Sequence, residues 1–296
     1  MNLENIRSVI AKATPYFIRR RIPLKVSQHL YFSGVISARL NGKPIVKLVN
    51  KSHQIENEIY WRGFDGCHEK KSMQIFAEIL RVTKPKIVWD IGANSGTYGI
   101  LAKALIPETE VYFFEPIPKA IEMIHENLLL NGFNAEVFQL ALGDYDGRGE
   151  IYFSKGADFA TSVTVNKNLL ETGLEADSME IDVMRADTLM EKFSLSLPEF
   201  VKLDVETYEF EVLKGFGTTL FMDCIFLVEI LSDELAHKLE PFFPASKYDF
   251  YNVDDAESKV RKTERLGKSD FYNYLICPQH LSHLFSFGVT SNDSPE

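Results

Sequence analysis

The chain has 296 residues, 45% of them apolar and 25% charged, and a net charge of −10. No run of about 18 apolar residues occurs, which excludes a helix that crosses a bilayer. Cys67, Cys224 and Cys277 are scattered, with no CxxC or Cys/His cluster, so neither a disulfide framework nor a structural zinc site is indicated.

The charge is uneven along the chain. Residues 1–51 hold ten Lys or Arg against one acid, Glu4, a local balance of +9 that leaves −19 for the remainder. Leu3, Ile6, Ile10, Ala13 and Phe17, spaced by three and four, predict a short amphipathic helix over 3–18, weakened by Pro15 and followed by Arg19-Arg20-Arg21. Such an arm suits docking on an acidic body, on a sister chain in a homo-oligomer, or on a membrane surface as a peripheral contact. Charged residues interrupt every early apolar stretch before a signal core forms, so the expected setting is the cytoplasm.

YFSGVISARL and KPIVKLVN meet across Asn41-Gly42, a pair that accepts the positive φ of a tight turn, and predict a β-hairpin. A helix is expected over 69–81. Strands and helices then alternate. Strands are expected at 86–90, 110–115, 135–142, 200–204 and 224–229, and helices at 96–105, 119–131, 208–215 and 233–239. Extra polar strands are expected at 149–153 and 179–184, and late strands at 248–253 and 271–276. This alternation predicts an α/β fold with a mostly parallel sheet and helices on both faces. The expected division is a basic extension of helix and hairpin over 1–57, a catalytic domain over 58–287, and a disordered tail over 288–296.

Ligands of open parallel sheets sit beyond the carboxyl ends of the strands. Acids stand at those ends: Asp90, Glu115, Asp144, Asp204 with Glu206, and Glu229. The first strand runs into D-x-G-x-x-x-G, with Asp90, Gly92 and Gly96, where glycine lets the backbone turn tightly beside a ligand. Glu115 lies 25 residues after Asp90, a placement suited to the two hydroxyls of a ribose. A carboxylate in the turn would repel a pyrophosphate. A nucleoside without phosphates and with positive charge, such as S-adenosylmethionine, fits better.

The motifs DIGANSGTYG, FFEPIPKAIEMIHENLLLNG, ALGD, VKLDVETYEFEVLKG and LVEI stand in an order and spacing that resembles the FkbM-type methyltransferases. The resemblance covers roughly residues 58–278, and EIYWRGFDGCHEKK resembles that family's lead-in. It implies a class I, Rossmann-like fold and S-adenosylmethionine-dependent transfer to a hydroxyl of a sugar, glycoconjugate or related natural product. It further implies that Asp90, Gly92, Asn94 and Gly96 line the methionine end of the cofactor, that Glu115 holds the ribose, that Leu142, Gly143 and Asp144 flank the adenine, and that Glu69 is a cofactor-side acid. The family's D-V-E-G-x-E reads Asp204-Val205-Glu206-Thr207-Tyr208-Glu209 here, with a β-branched residue in place of glycine.

Transfer to oxygen needs the hydroxyl about 3–3.5 Å from the methyl carbon and a base for its proton. Asp204 is the expected base and Glu206 the second choice. Lys202 points the opposite way from its strand neighbours and is expected against a carboxylate. Asp204, Glu206 and Glu229 together would suit Mg²⁺ with retained waters, a use the sequence leaves open. Tyr60 and Trp61 are expected either in the core or stacked on a sugar, and His125 on a packed or surface face. Competing readings are a non-catalytic binding domain and a dinucleotide-dependent oxidoreductase, against which the absent G-x-G-x-x-G counts. A nucleic-acid partner is disfavoured by the acidic body.

Overall fold

In the computed structural model, residues 9, 13–27, 30–154, 163–164, 176–217, 223–269 and 271–285 are described. The expected helix over 3–18 and tail over 288–296 fall largely or wholly outside them, as does most of the segment between 155 and 175. Near the start, short helical turns cover Tyr16–Arg19 and Leu24–Ser27.

β1 (Ser33–Leu40) and β2 (Lys43–Lys51) pair antiparallel across Asn41-Gly42, whose φ values of 51° and 76° are those the turn requires. The hairpin is part of the main core, since Phe32, Ile36 and Leu48 pack in one cluster with Ile75 and Phe113. It is fastened by the helix Pro118–Asn131. Buried Asn127 accepts the Val49 N–H at 2.7 Å and donates to the Ser95 carbonyl at 3.0 Å, and Asn131 bonds both backbone groups of Lys47. The boundary expected between residues 57 and 58 falls inside a helix, Gln54–Arg62.

The central sheet is built from β3 (Ile87–Ile91), β4 (Glu110–Phe114) and β5 (Glu136–Phe138), and later β10 (Phe200–Leu203) and β11 (Ile225–Glu229). A smaller sheet intervenes: β6 (Ala141–Gly143), β7 (Gly147–Ser154), β8 (Val163–Thr164) and β9 (Ala176–Arg185), in the order β6-β9-β7-β8. β12 (Tyr248–Asp254), β13 (Lys259–Thr263) and β14 (Asn273–Pro278) complete the central sheet, whose order is β13-β12-β14-β11-β10-β3-β4-β5. Strands β11 to β5 in that order are parallel, while β14, β12 and β13 pair antiparallel. One expected strand, 135–142, is two. The chain turns where Leu140 N–H meets the Phe138 carbonyl, so β5 extends the central sheet and β6 pairs with β9.

Two apolar clusters cover the two faces of the sheet. One lies under the hairpin and the helices Lys70–Thr83, Thr97–Leu105 and Pro118–Asn131. The other lies under Ala186–Phe193, Glu209–Gly215 and Asp233–Leu239. The chain leaves β3 toward β4 and β5 and returns on the far side at β10. The order therefore reverses between β3 and β10, and a crevice opens above that point.

Candidate active site

Asp90 is buried at the end of β3, and one of its oxygens accepts the Gly99 N–H at 2.8 Å. Gly92 follows at φ 74°, and a Cβ there would stand 1.8 Å from the Asp204 carbonyl oxygen. Only glycine lets the turns after β3 and β10 close on each other. Asn94, at φ 51°, donates its N–H to one Glu115 oxygen at 2.8 Å, and Ile117 N–H donates to the other at 3.0 Å. Each Glu115 oxygen carries one backbone donor, so each keeps acceptor capacity for a ligand. Burial pushes Asp90 up to about 7, against the Gly99 amide and Lys202, which pull it down. Burial also pushes Glu115 up to about 7, against its two amides. Two buried carboxyls held this high gain ionisation when a cation arrives.

In the β10–β3 register Lys202 lies directly beside Asp90. Lys202 is buried, and its ammonium donates to Asp204 Oδ2 at 2.9 Å. Burial works against the ammonium, but the charges of Asp204 and Glu69 outweigh it and its pKa is raised. The ammonium also stands 5.1 Å from the centre of the Tyr98 ring. Beyond Asp204 the backbone turns through Glu206 at φ 54° and Thr207 at φ 78°. Threonine thus keeps the left-handed conformation despite its branched Cβ, and the turn stores strain beside the crevice. Burial and Asp204 push Glu206 up to about 7, and the same two causes push Glu229 up.

The crevice encloses a cavity of about 510 Å³. Its acids are Glu69, Asp90, Glu115, Asp204, Glu206, Glu229 and Asp255, against Lys202 and His68. The Tyr98 hydroxyl and the Asn273 side-chain oxygen are buried without a protein partner, and both residues line the cavity. Asp255 crosses from the β12–β13 turn to cap the helix Lys70–Thr83, accepting from Lys71 N–H, Ser72 N–H and Ser72 Oγ. His68 donates from Nδ1 to Glu58 at 3.0 Å, and the same Glu58 oxygen accepts the His68 backbone N–H at 3.0 Å.

Most of the residues singled out in the sequence meet here: Glu69, Asp90, Gly92, Asn94, Glu115, Leu142, Lys202, Asp204, Glu206 and Glu229 all line the cavity. Gly96 does not; its Cα faces Phe113 and Ile124, and its φ of 79° opens the helix Thr97–Leu105. Gly143 and Asp144 are also elsewhere. Gly143 packs under Gly215, where a Cβ would meet its carbonyl at 2.0 Å, and Asp144 pairs with Lys214 at 2.6 Å. Tyr60 and Trp61 are core residues, 7% and 1% exposed, with Arg19 stacked 3.8 Å over the Tyr60 ring, so neither meets a sugar. His125 lies on the surface. Among the described residues no group of three or more His, Cys, Asp or Glu is arranged to hold a metal ion. Among the described residues no helix is long and apolar enough to cross a membrane.

The sequence reading missed Tyr98, Asp255, Asn273 and the Glu58–His68 pair. His68 stands next to Glu69 in the lead-in, but only the folded chain brings Glu58 to it. Nothing in the sequence pattern links Asp255 to the helix it caps.

The chain is 29% identical over 173 residues to the hexuronic acid methyltransferase AglP of Haloferax volcanii, a match covering 58% of this chain and 66% of that protein. It is 28% identical over 163 residues to methyltransferase sdnD of Sordaria araneosa, covering 47% of this chain and 63% of that one. It is 25% identical over 175 residues to the 2-O-methyltransferase NoeI of Sinorhizobium fredii, covering 55% and 72%. The chain thus spans just under two thirds of the first two relatives. The profile of the Methyltransferase FkbM domain matches residues 90–252, more than half of the chain, from the end of β3 through β11, and the protein belongs to that family.

Proposed function

We propose that the protein is an S-adenosylmethionine-dependent O-methyltransferase acting on a hydroxyl of a sugar, glycoconjugate or related natural product. The observation that carries this reading is the pair of buried, amide-bound carboxyls, Asp90 and Glu115, on either side of the Gly92 turn at the point where the sheet order reverses. Such a pair favours a cationic nucleoside and disfavours a diphosphate. The names of the relatives, a hexuronic acid methyltransferase and a 2-O-methyltransferase, support a carbohydrate acceptor.

When bound, S-adenosylmethionine supplies a methyl group activated on a sulfonium. Glu115 accepts hydrogen bonds from the ribose hydroxyls through the acceptor capacity its two amides leave open. Asp90, Gly92 and Asn94 form the methionine end, and Ile117, Ala141 and Leu142 give the adenine an apolar wall. Lys202 fixes Asp204 by one oxygen, and Asp204 orients the acceptor hydroxyl with the other. Glu206 and Glu229 line the same half of the cavity.

The test is transfer of label from methyl-labelled S-adenosylmethionine to a panel of hexoses, uronic acids and their glycosides. Label should appear in at least one hydroxylated acceptor and disappear with Glu115→Ala. A protein that binds no S-adenosylmethionine, with or without the panel, would overturn the reading.

A further inference from the structure

We propose that His68, oriented by Glu58, is the group that takes the proton of the acceptor hydroxyl, and that it surrenders its own proton as the cationic methyl donor enters the cavity. This rests on reading the cavity as a methyl-donor site. Glu58 is 1% exposed, and its two oxygens are divided between His68 and Gln54, whose amide donates at 2.9 Å. The imidazole is therefore held from behind by a carboxylate that is itself fixed. Nδ1 is committed to Glu58, which leaves Nε2 beside Glu69, 3.9 Å away, where both residues line the cavity. The side chain is 43% exposed, so a proton that reaches it can leave to water.

Two other acids of the cavity already have protein partners. Asp204 holds Lys202, and Asp255 accepts three hydrogen bonds from the helix it caps. The carboxylates that face His68 are Glu58 from the helix Gln54–Arg62, Glu69 from its own segment and Asp255 from the β12–β13 turn. Burial pulls the imidazolium down, but these three and the Glu58 hydrogen bond raise it to about 9. An empty site thus keeps His68 protonated near neutral pH and unable to act as a base. S-adenosylmethionine brings a sulfonium and an ammonium against one carboxylate, a net +1, into the same cavity. Positive charge disfavours the imidazolium, so loading expels its proton.

In the transfer step, Nε2 takes the hydroxyl proton as the new O–C bond forms. The C–S bond breaks with its electron pair on sulfur, which leaves as a neutral thioether. Glu58 stabilises the imidazolium so formed, and the product, now one positive charge poorer, no longer drives the proton off.

The test is calorimetric titration of the full chain at pH 8 to 8.5 in buffers of different ionisation enthalpy, with S-adenosylmethionine and with S-adenosylhomocysteine. Asp90, Glu115 and Glu206, held near 7, are already largely ionised there, and the proton that Glu229, held at about 10, releases is common to wild type and variant. Wild type should release more protons with the sulfonium than with the thioether. His68→Gln should cut that excess to what Glu229 supplies, and Glu58→Gln should move the His68 share to lower pH, because the imidazolium loses its partner. Turnover of a glucuronic acid methyl glycoside should fall at least tenfold in His68→Gln. Binding of S-adenosylmethionine with equal proton release in wild type and His68→Gln would overturn this inference while leaving the proposed function intact. Failure of wild type to bind it would instead defeat the parent reading.

Discussion

Glu115 is the side chain on which the nucleoside reading depends most, since two backbone amides fix it in the cavity. Replacing it by alanine removes charge-assisted hydrogen bonds worth roughly 1.5–3 kcal/mol, so affinity for S-adenosylmethionine should fall about 10- to 100-fold in a binding titration. Asp204→Asn should instead cut turnover while cofactor affinity stays within a few-fold of wild type. Full activity in that variant would remove Asp204 from the acceptor site. Asp90, Gly92 and Glu115 were legible in the sequence because their chemistry is local: an acid at a strand end, a bare turn, and a second acid one strand later. For Tyr60 and Trp61 the sequence left core and sugar contact both open, because an aromatic beside charged residues looks the same in either place, and the fold puts both in the core. His68 escaped notice for a related reason. Its role depends on Glu58, ten residues away along the chain and brought to it only by the fold.

Among elements, the turn after β10 is the least ordinary. Thr207 sits at φ 78°, where a β-branched residue costs about 1–2 kcal/mol, more than the conformational entropy that glycine would add to the unfolded chain. Thr207→Gly should therefore raise stability by about 1 kcal/mol in a denaturant titration. Unchanged or lower stability would mean that contacts of the threonine side chain offset the strain. Gly92→Ala should do the opposite. Its Cβ would collide with the Asp204 carbonyl, so the turns after β3 and β10 must part, at a cost above about 2 kcal/mol and with loss of cofactor binding. The apolar strands and the amphipathic helix Lys70–Thr83 followed from periodicity. The helix Gln54–Arg62 did not, because Glu56, Asn57 and Glu58 are buried polar residues that break its apolar stripe. The division of 135–142 into β5 and β6 was equally hidden. Both halves are apolar, and only pairing with β4 and with β9 distinguishes them.

At the scale of the whole molecule, the excess of acid around the cavity makes stability depend on pH. Asp90 and Glu115 hold their protons to about 7 when folded, above the ordinary carboxylate values of 3.8 and 4.5. Between those limits the folded state binds more protons than the unfolded state, so stability falls as pH rises. His68 acts in the same sense at higher pH: folded at about 9 against an ordinary 6.5, it contributes stability that is present below 6.5 and lost as pH rises through 9. Thermal melts of the ligand-free protein should therefore drop in midpoint from pH 5 to pH 9. S-adenosylmethionine should restore most of that loss, because the cation favours the ionised carboxyls. A midpoint that rises over the same range would mean that these groups titrate normally.

The measurement that tests the account most directly is parallel calorimetric titration of the purified chain with S-adenosylmethionine and NAD, repeated with Glu115→Ala. The cavity as described predicts saturable binding of S-adenosylmethionine, strengthening from pH 6 to pH 8 as Asp90 and Glu115 ionise, weakened by the substitution, and no binding of NAD. Binding of NAD, or binding of S-adenosylmethionine that Glu115→Ala leaves unchanged, would contradict it.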